Sequence, residues 1–478
     1  MWIKNLETLL SNGNKNGRRV VLEVIEAGLE AADPYNNTRK LLTIENEKLI
    51  IGHKDFDVER KGFVTFDLSE IGSIYVLGGG KAAQRISKGI EDVLGDRITG
   101  GAINAKKGEE KYLKRIDVTL AGHPIPDDDS VRGAKRIVEI AEMAKEGDLV
   151  FCVTSGGCSS LVTLPVEGLS LEDIKNTTRI MQQEHGVPTR DLNVVRGHLS
   201  SVKYGRVATL VYPATMVFFM LGSGLGHLAY DERDNAAYIF HPGSRPSSFN
   251  DAVKIVKKWG AWDEIPTSVR AHLENADTRY KVPKTTTFTK MDIHQFGVMN
   301  SRFMLEGAIK KAEDLGLTPI LFPRIGSTVE ARELGKALSA MALQIEGKDV
   351  NILANGTPFK TPCILISNGE SIVTVGKGVA ESEGGRNQEF VLSSALRISG
   401  SRNITVASVD SDGTDGPTNV AGGVADGYTA KRAEDEGVNI FKALKTHNTT
   451  SALRRLNDVI LTGNTGTNLM DLRVIYIN

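Results

Sequence analysis

Ser73-Ile74-Tyr75-Val76-Leu77-Gly78-Gly79-Gly80-Lys81-Ala82-Ala83 is an apolar run of strand length that stops at three glycines and resumes in helix-forming residues. A buried strand entering a glycine turn and then a helix is the unit from which parallel sheets are built. The pattern repeats downstream: Asp148-Leu-Val-Phe-Cys-Val-Thr154 runs into the turn Ser155-Gly-Gly-Cys-Ser-Ser160, and Met216-Val-Phe-Phe-Met-Leu221 ends in another glycine loop. Further strands are predicted over residues 318–322, 363–366, 371–375, 403–408 and 459–462. Upstream, residues 17–32 place apolar side chains at helical spacing, and Asp33-Pro34 stops that helix. Strands alternating with helices predict an α/β chain with parallel sheets covered on both faces. Ligands then belong beyond the carboxyl ends of strands, where the glycine loops fall.

A chain of 478 residues is long enough for two domains. Residues 242–292, rich in Pro, Ser, Thr and charge, read as the junction, so domains are expected at 1–285 and 286–478. A net charge of -1 and 6% aromatic residues give no electrostatic footprint for nucleic acid or an anionic membrane. No run of about 18 apolar residues occurs, so no membrane-spanning helix is expected. Met1-Trp-Ile-Lys-Asn-Leu-Glu7 is too charged for a signal peptide. Cys152, Cys158 and Cys363 lack zinc spacing and suit reduced thiols, so a cytoplasmic setting is expected. The nine histidines form no HExxH or HxxxH pair.

Two C-terminal stretches carry the clearest chemistry: Glu381-Ser-Glu-Gly-Gly-Arg-Asn-Gln-Glu389 and Asp410-Ser-Asp-Gly-Thr-Asp-Gly-Pro-Thr418. Aspartates among glycines suit a hard cation such as Mg²⁺, and glycine N–H groups can face phosphate oxygens. Arg386 supplies a planar cationic fork. An exposed turn is the other reading. An EF-hand is excluded, because position twelve counted from Asp410 is Ala421. Gly78-Gly79-Gly80-Lys81 is not a Walker A loop: Tyr75 stands where its first glycine belongs and Ala82 where its Ser or Thr belongs. It still sets a lysine at a helix N-terminus, which attracts anions, or serves only as a tight turn. Asn193, Arg196, Ser200 and Lys203 are spaced to share one helix face, either as ligand contacts or as a solvated stripe. His198 lies off that stripe and reads as a structural, hydrogen-bonded histidine. Cys158 in its glycine turn could be a thiolate nucleophile, but no histidine neighbours it in sequence, and a substrate-cradling turn is the preferred reading.

In chain order, GGGKAA at 78–83, AGHPIPD at 121–127, TSGGCSSL at 154–161 and NxxRxHLSxxK at 193–203 resemble the MOFRL-type glycerate 2-kinases. SRFMLEGA at 301–308, GGRNQE at 384–389, DGTDGPT at 412–418 and TGxTGTNLMDL at 462–472 continue the resemblance almost end to end. It implies a Rossmann-like three-layer N-terminal domain and a smaller α/β C-terminal domain, MOFRL-like over about 361–474, with the site in the cleft between them. The implied reaction is phosphorylation of D-glycerate to 2-phosphoglycerate by ATP with Mg²⁺, with Lys81 and Arg386 as active-site residues. Ser155, Gly156, Gly157, Ser159, Asn193, Arg196 and Lys203 are the expected substrate contacts. Gly79, Gly80, Asp412, Gly413, Asp415, Gly416, Thr418, Thr465, Gly466 and Asn468 are the expected nucleotide contacts, with Asp412 and Asp415 also on the metal. A homodimer is a further expectation.

The chain departs from the family pattern at Gly224, where relatives carry an aspartate suited to be the base; Asp231, Asp234 or His227 are its possible substitutes. A non-catalytic or altered-specificity paralogue binding another short hydroxy acid is therefore the alternative. The family has also been labelled hydroxypyruvate reductase. A nicotinamide-dependent reductase is disfavoured, because no strand is followed by GxGxxG with an acid about 20 residues on.

Overall fold

The computed structural model describes residues 1–54, 56, 63–221, 240, 247–322, 324–326, 328–347, 359–375 and 382–478. Gly224, His227, Asp231 and Asp234 lie outside them. Contacts divide the chain into two compact units: Pro34–Met299, and a discontinuous unit of Met1–Asp33 with Asn300–Asn478.

The Pro34–Met299 unit opens with helix Pro34–Leu41, followed by an antiparallel ribbon of β1 (Leu42–Glu45), β2 (Lys48–Ile51) and β3 (Val64–Asp67). Its main sheet has six strands: β4 (Ile74–Gly79), β5 (Gly100–Lys106), β6 (Asp117–Ala121), β7 (Leu149–Thr154), β8 (Thr215–Leu221) and β9 (Ile293–Met299). They lie in the order β6-β5-β4-β7-β8-β9, and every pair is parallel. This is the doubly wound Rossmann order, which reverses direction between β4 and β7. Both of those strands are buried along their whole length, as their unbroken apolar runs require. Tyr75, Leu77, Val150, Cys152 and Phe218 pack on one face with Ala134 and Ile137 of helix Asp128–Ala141. Side chains alternate along a strand, so Phe151, Phe219 and Phe296 meet edge-on on the other face.

A separate apolar cluster joins helices Leu171–Arg179, Thr189–His198, Phe249–Lys258 and Thr267–Asn275 through Ile174, Leu192, Val195, Phe249 and Val269.

In the discontinuous unit, β10 (Thr318–Leu321), β11 (Cys363–Gly369), β12 (Ile404–Asp410), β13 (Gly422–Asp426), β14 (Val459–Ile460) and β15 (Asp471–Ile477) form a six-stranded sheet in the order β10-β11-β15-β12-β13-β14. This sheet is mixed, which corrects the expectation of parallel pairing. Only β10 and β11 pair in parallel; β15 returns antiparallel between β11 and β12, and β13 and β14 also pair antiparallel. Apolar runs mark strands buried on both faces but say nothing of direction. The stretch 371–375 is no strand; Ile372 makes one isolated bridge to Glu330.

Residues 1–33 were expected in the N-terminal domain, yet they pack with the C-terminal segment. Helix Lys15–Ala31 buries Arg18 completely, with Nε 2.6 Å from Asp426 and Nη1 2.7 Å from Asp458. A buried guanidinium must stay with its carboxylates. The same helix crosses Ser301–Asp314 so closely that a Cβ on Gly307 would fall 2.4 Å from that of Ala31. Helices Ala331–Glu346 and Arg386–Arg397 supply Leu334, Phe390 and Val391 to the core on the sheet's opposite face.

Candidate active site

Strands β4 and β7 deliver their loops side by side at the reversal of strand order. The Lys81 N–H donates to the Gly156 carbonyl at 2.9 Å, and the Ala82 N–H to Ser155 Oγ at 2.9 Å. Gly80 N–H donates to the Asn104 carbonyl of β5. The glycines permit this approach. Gly78 and Gly80 hold φ of 152° and 138°, and a Cβ on Gly80 would lie 2.1 Å from Ser155 Oγ. A Cβ on Gly79 would fall 2.5 Å from a Val162 methyl. Gly79 and Gly80 are thus packing glycines, and the amides of residues 80–82 are spent on β5 and the β7 loop rather than on a phosphate.

The amides with no described acceptor lie in the second loop instead. No described group accepts from the N–H groups of Gly156, Gly157 and Ser159, at the head of the short turn Cys158–Leu161. Such clustered N–H groups favour an anion. Ser159 Oγ donates to Asn193 Oδ1 at 3.0 Å. The buried Lys203 ammonium donates to the Ser159 and Val162 carbonyls, the latter at 3.0 Å.

Asn193 and Arg196 sit on helix Thr189–His198, but the helix ends there, so Ser200 and Lys203 do not continue its face. Tyr204 and Gly205 take positive φ, and Arg206 Nη1 donates to the carbonyls of Gly197, Ser200 and Lys203. The four polar residues are all buried, not a solvated stripe. Arg196 Nε reaches Thr178 Oγ1 at 3.2 Å. His198 is a core histidine: Nε2 bonds Ser247 Oγ at 2.9 Å, and burial, followed by the Arg206 charge, lowers it to about 3. Burial pushes the Cys158 thiol up to about 11, which removes the thiolate reading.

Sequence reasoning gave no role to His123. It follows β6 in the loop Gly122-His123-Pro124, joined to Pro124 by a cis peptide. A Cβ on Gly157 would stand 3.0 Å from His123 Cδ2 and 3.2 Å from Nε2, so the imidazole lies against this turn. The missed signal was the short strand Asp117–Ala121 followed at once by Gly122, the same strand-then-glycine pattern as at the other loops.

In the other unit, Gly369, Asp471 and Asp410 stand side by side across β11, β15 and β12. Arg386 opens its helix beside them. Its Nε lies 2.9 Å from both Asp471 oxygens, and its Nη2 lies 2.6 Å from Asp410 and 3.2 Å from Glu370. Burial alone would lower this guanidinium, but Asp471, Asp410 and Glu370 reverse the shift and keep it charged. Arg386 is therefore an engaged ion-pair residue, not an open fork; only Nη1 bonds no described group. Arg473 donates to Asp471 from the other side.

Asp415 caps the same helix. Its oxygens accept from the N–H and Nδ2 of Asn387 and from the N–H and Nε2 of Gln388, at 3.0–3.1 Å. Those four donors use the lone pairs that a cation would need, so the expected metal role does not fit Asp415. Burial, then the Asp471 charge, pushes its carboxyl up to about 6. Asp412 Oδ1 accepts from Thr414 N–H and Oγ1, both at 2.8 Å. Among the described residues no group of three or more His, Cys, Asp or Glu fits a metal ion.

Gly413 and Gly416 take positive φ where a Cβ would strike the Gly463 and Gly384 carbonyls. Thr418 Oγ1 donates to the Asp415 carbonyl, and Thr465 Oγ1 to that of Ser411. Gly466 N–H bonds Asn464 Oδ1, while half-buried Asn468 bonds no described group. The 410–418 and 462–471 loops are thus laced together, with most of their expected ligand groups turned inward.

Residues 20–274 match the family described as Domain of unknown function (DUF4147), and residues 363–471 match the MOFRL family. The chain is 34% identical to the glycerate 2-kinase of Pyrococcus horikoshii, over 96% of this chain and 97% of that protein. It is 35% identical to the D-glycerate 2-kinase of Thermotoga maritima, over 82% and 88% respectively. A solved glycerate kinase structure from Thermotoga maritima superposes with a TM-score of 0.74 at 30% identity, covering 96% of this chain and 99% of that one. With two family matches in register with the two glycine-rich loop systems, the chain belongs to the MOFRL-type glycerate kinase family.

Proposed function

We propose that this chain transfers the γ-phosphoryl group of ATP to the 2-hydroxyl of D-glycerate, giving 2-phosphoglycerate. The observation that supports it most is the paired loops at the β4/β7 reversal, which set Lys81 beside the amides of Gly156, Gly157 and Ser159 in a member of the glycerate kinase family. Phosphoryl transfer depends on alignment and on neutralising charge at the equatorial oxygens, which a lysine and oriented N–H groups provide. Ser155 and Lys203 act through the turn they hold. In the other unit, Asp412 is the remaining candidate beside magnesium. Mg²⁺ keeps most of its water and binds through one or two carboxylates and the nucleotide's own phosphates, which suits the lack of a carboxylate cage among the described residues. When bound, the ion would screen the phosphate charge. A cytoplasmic setting and a homodimer belong to the same reading.

The test is release of ADP from ATP with D-glycerate, followed by direct conversion of the product by enolase, which accepts 2-phosphoglycerate but not the 3-isomer. L-glycerate and four-carbon hydroxy acids serve as comparisons. Oxidation of NADH with hydroxypyruvate and no ADP would overturn the proposal. So would binding of glycerate without turnover.

A further inference from the structure

The turn Cys158–Leu161 is a single helical turn, too short to hold its shape by its own hydrogen bonds. Leu161 N–H closes on the Gly157 carbonyl and Val162 N–H on that of Cys158. The carbonyls at the far end of so short a turn need donors from elsewhere. Lys203 Nζ serves those of Ser159 and Val162, and Asn104 Nδ2 serves that of Leu161 at 2.7 Å.

Asn104 does more than close the turn. It lies on β5 opposite Gly79, and its own carbonyl accepts the Gly80 N–H at 3.0 Å. One residue thus bonds the loop that carries Lys81 through its main chain and the amide-bearing turn through its side chain. The side chain is wholly buried and held on every side. Nδ2 also donates to the Ser130 carbonyl at 3.3 Å, in the first turn of helix Asp128–Ala141. A group set between two carbonyls has to be the NH₂ end of the amide, so chemistry fixes the orientation. Oδ1 then turns to Gly133 of the same helix, where a Cβ would lie 2.0 Å away, and accepts from no described group.

We infer that Asn104 is a positioning residue of the phosphoryl transfer: by bonding both loops it sets the separation between Lys81 and the N–H groups of Gly156, Gly157 and Ser159. The inference rests on the kinase reading above. Transfer needs these groups matched to the transition state, and a displacement of about 1 Å lowers the rate by roughly 10²-fold. The side chain acts through the Leu161 carbonyl, whereas the main-chain bond to Gly80 survives a substitution at this position.

The experiment compares wild type, Asn104→Leu, Lys81→Ala and the double variant in ADP release with D-glycerate. Leucine keeps the branched shape of the amide and removes its donor. Phe296→Leu, which loosens packing on the sheet's other face, is the stability control. Well below every melting temperature, Asn104→Leu is expected to lower kcat by about 10- to 100-fold, with KM for glycerate within a few-fold of wild type. Phe296→Leu is expected to melt earlier and keep its kcat, which separates placement from stability. In the Lys81→Ala background, Asn104→Leu is expected to lower kcat by less than about threefold, because the cation whose separation it sets is gone. A kcat for Asn104→Leu within about threefold of wild type would overturn the inference alone, as would a loss confined to KM or losses that multiply in the double variant. An equal loss of kcat in Phe296→Leu would do the same. If Asn104→Leu does not fold, Asn104→Ser is read by the same outcomes. A wild type that releases no ADP with any short hydroxy acid would overturn the kinase reading and this inference with it.

Discussion

The backbone N–H of Lys81 is bonded to the carbonyl of Gly156 at 2.9 Å, so the loop that carries the cation and the turn that presents the amides form one rigid piece. The Lys81 side chain itself is only partly buried. Lys81→Ala should therefore leave the melting temperature almost unchanged while lowering kcat by about 10²- to 10³-fold, the usual effect of removing one group that stabilises developing charge. Steady-state kinetics beside thermal denaturation check this. A kcat near wild type would mean that another cation serves the phosphoryl group.

Gly80 tests the same piece from its backbone. It holds φ of 138°, and a Cβ there would lie 2.1 Å from Ser155 Oγ. Gly80→Ala should be destabilised by roughly 1–3 kcal/mol and should lose activity as Ser155 is pushed from Ala82. Denaturant unfolding measures the first effect and ADP release the second. An alanine tolerated in both would show that the two loops do not need to touch.

Lys203 holds the turn without facing solvent. Lys203→Met would keep most of the side-chain volume and strip the donor from the Ser159 and Val162 carbonyls. The Val162 carbonyl would lose its donor, a change of about 1–3 kcal/mol, whereas the Ser159 carbonyl keeps Thr163 Oγ1 at 3.1 Å. The expected result is a lower unfolding free energy, together with weaker binding of glycerate. Unchanged stability would return Lys203 to the role of a direct ligand.

In the other unit, Asp471 is shared by Arg386, Arg473 and Asn387. Asp471→Ala would leave two guanidinium groups short of a buried partner, a change of about 3–5 kcal/mol. Arg386→Ala should also destabilise, because Asp410 and Asp471 lose their counter-charge. Both variants should unfold at lower denaturant concentration than wild type. A stable Arg386→Ala with normal binding of glycerate and nucleotide would show that the ion-pair cluster is dispensable.

The β4 and β7 units were legible because Ile74–Leu77 and Leu149–Val153 are apolar runs of strand length closed by glycine turns. Strand β5 was not, since Gly100-Gly101 at its start looks like a turn; Gly101 is glycine because a Cβ would lie 2.3 Å from the Val76 carbonyl of β4. The antiparallel return of β15 was equally hidden, because direction is set by what Asp471 and Leu472 pair with across the sheet. Loop residues were found, but not the sense in which they point. Asp415 reads in sequence like a metal ligand and is a helix cap. Lys203 reads like a substrate contact and is buried on carbonyls. Such roles depend on partners tens to hundreds of residues away, which local spacing does not record. The placement of Arg18 with Asp426 and Asp458 is a long-range case of this.

His198 gives a pH dependence whose sign can be worked out. Burial lowers its folded pKa to about 3 from an ordinary 6.5, so the folded protein resists protonating a ring that the unfolded chain protonates readily. The unfolded state therefore binds the extra proton between those values, and stability rises with pH across that window. This contribution is fully present above about pH 6.5 and is lost as pH falls toward 3. A group of this kind contributes a slope of at most about 1.4 kcal/mol per pH unit. His198→Gln keeps a polar group near Ser247 and removes the titration. Wild type should lose about 1–2 kcal/mol more than His198→Gln between pH 7.5 and pH 5, measured by denaturant unfolding at each pH. His272, whose Nε2 bonds the His198 carbonyl, is present in both proteins, and its charge is one of the influences that lower His198. Parallel stability curves for the two proteins would show that the His198 site admits water and a proton in the folded state.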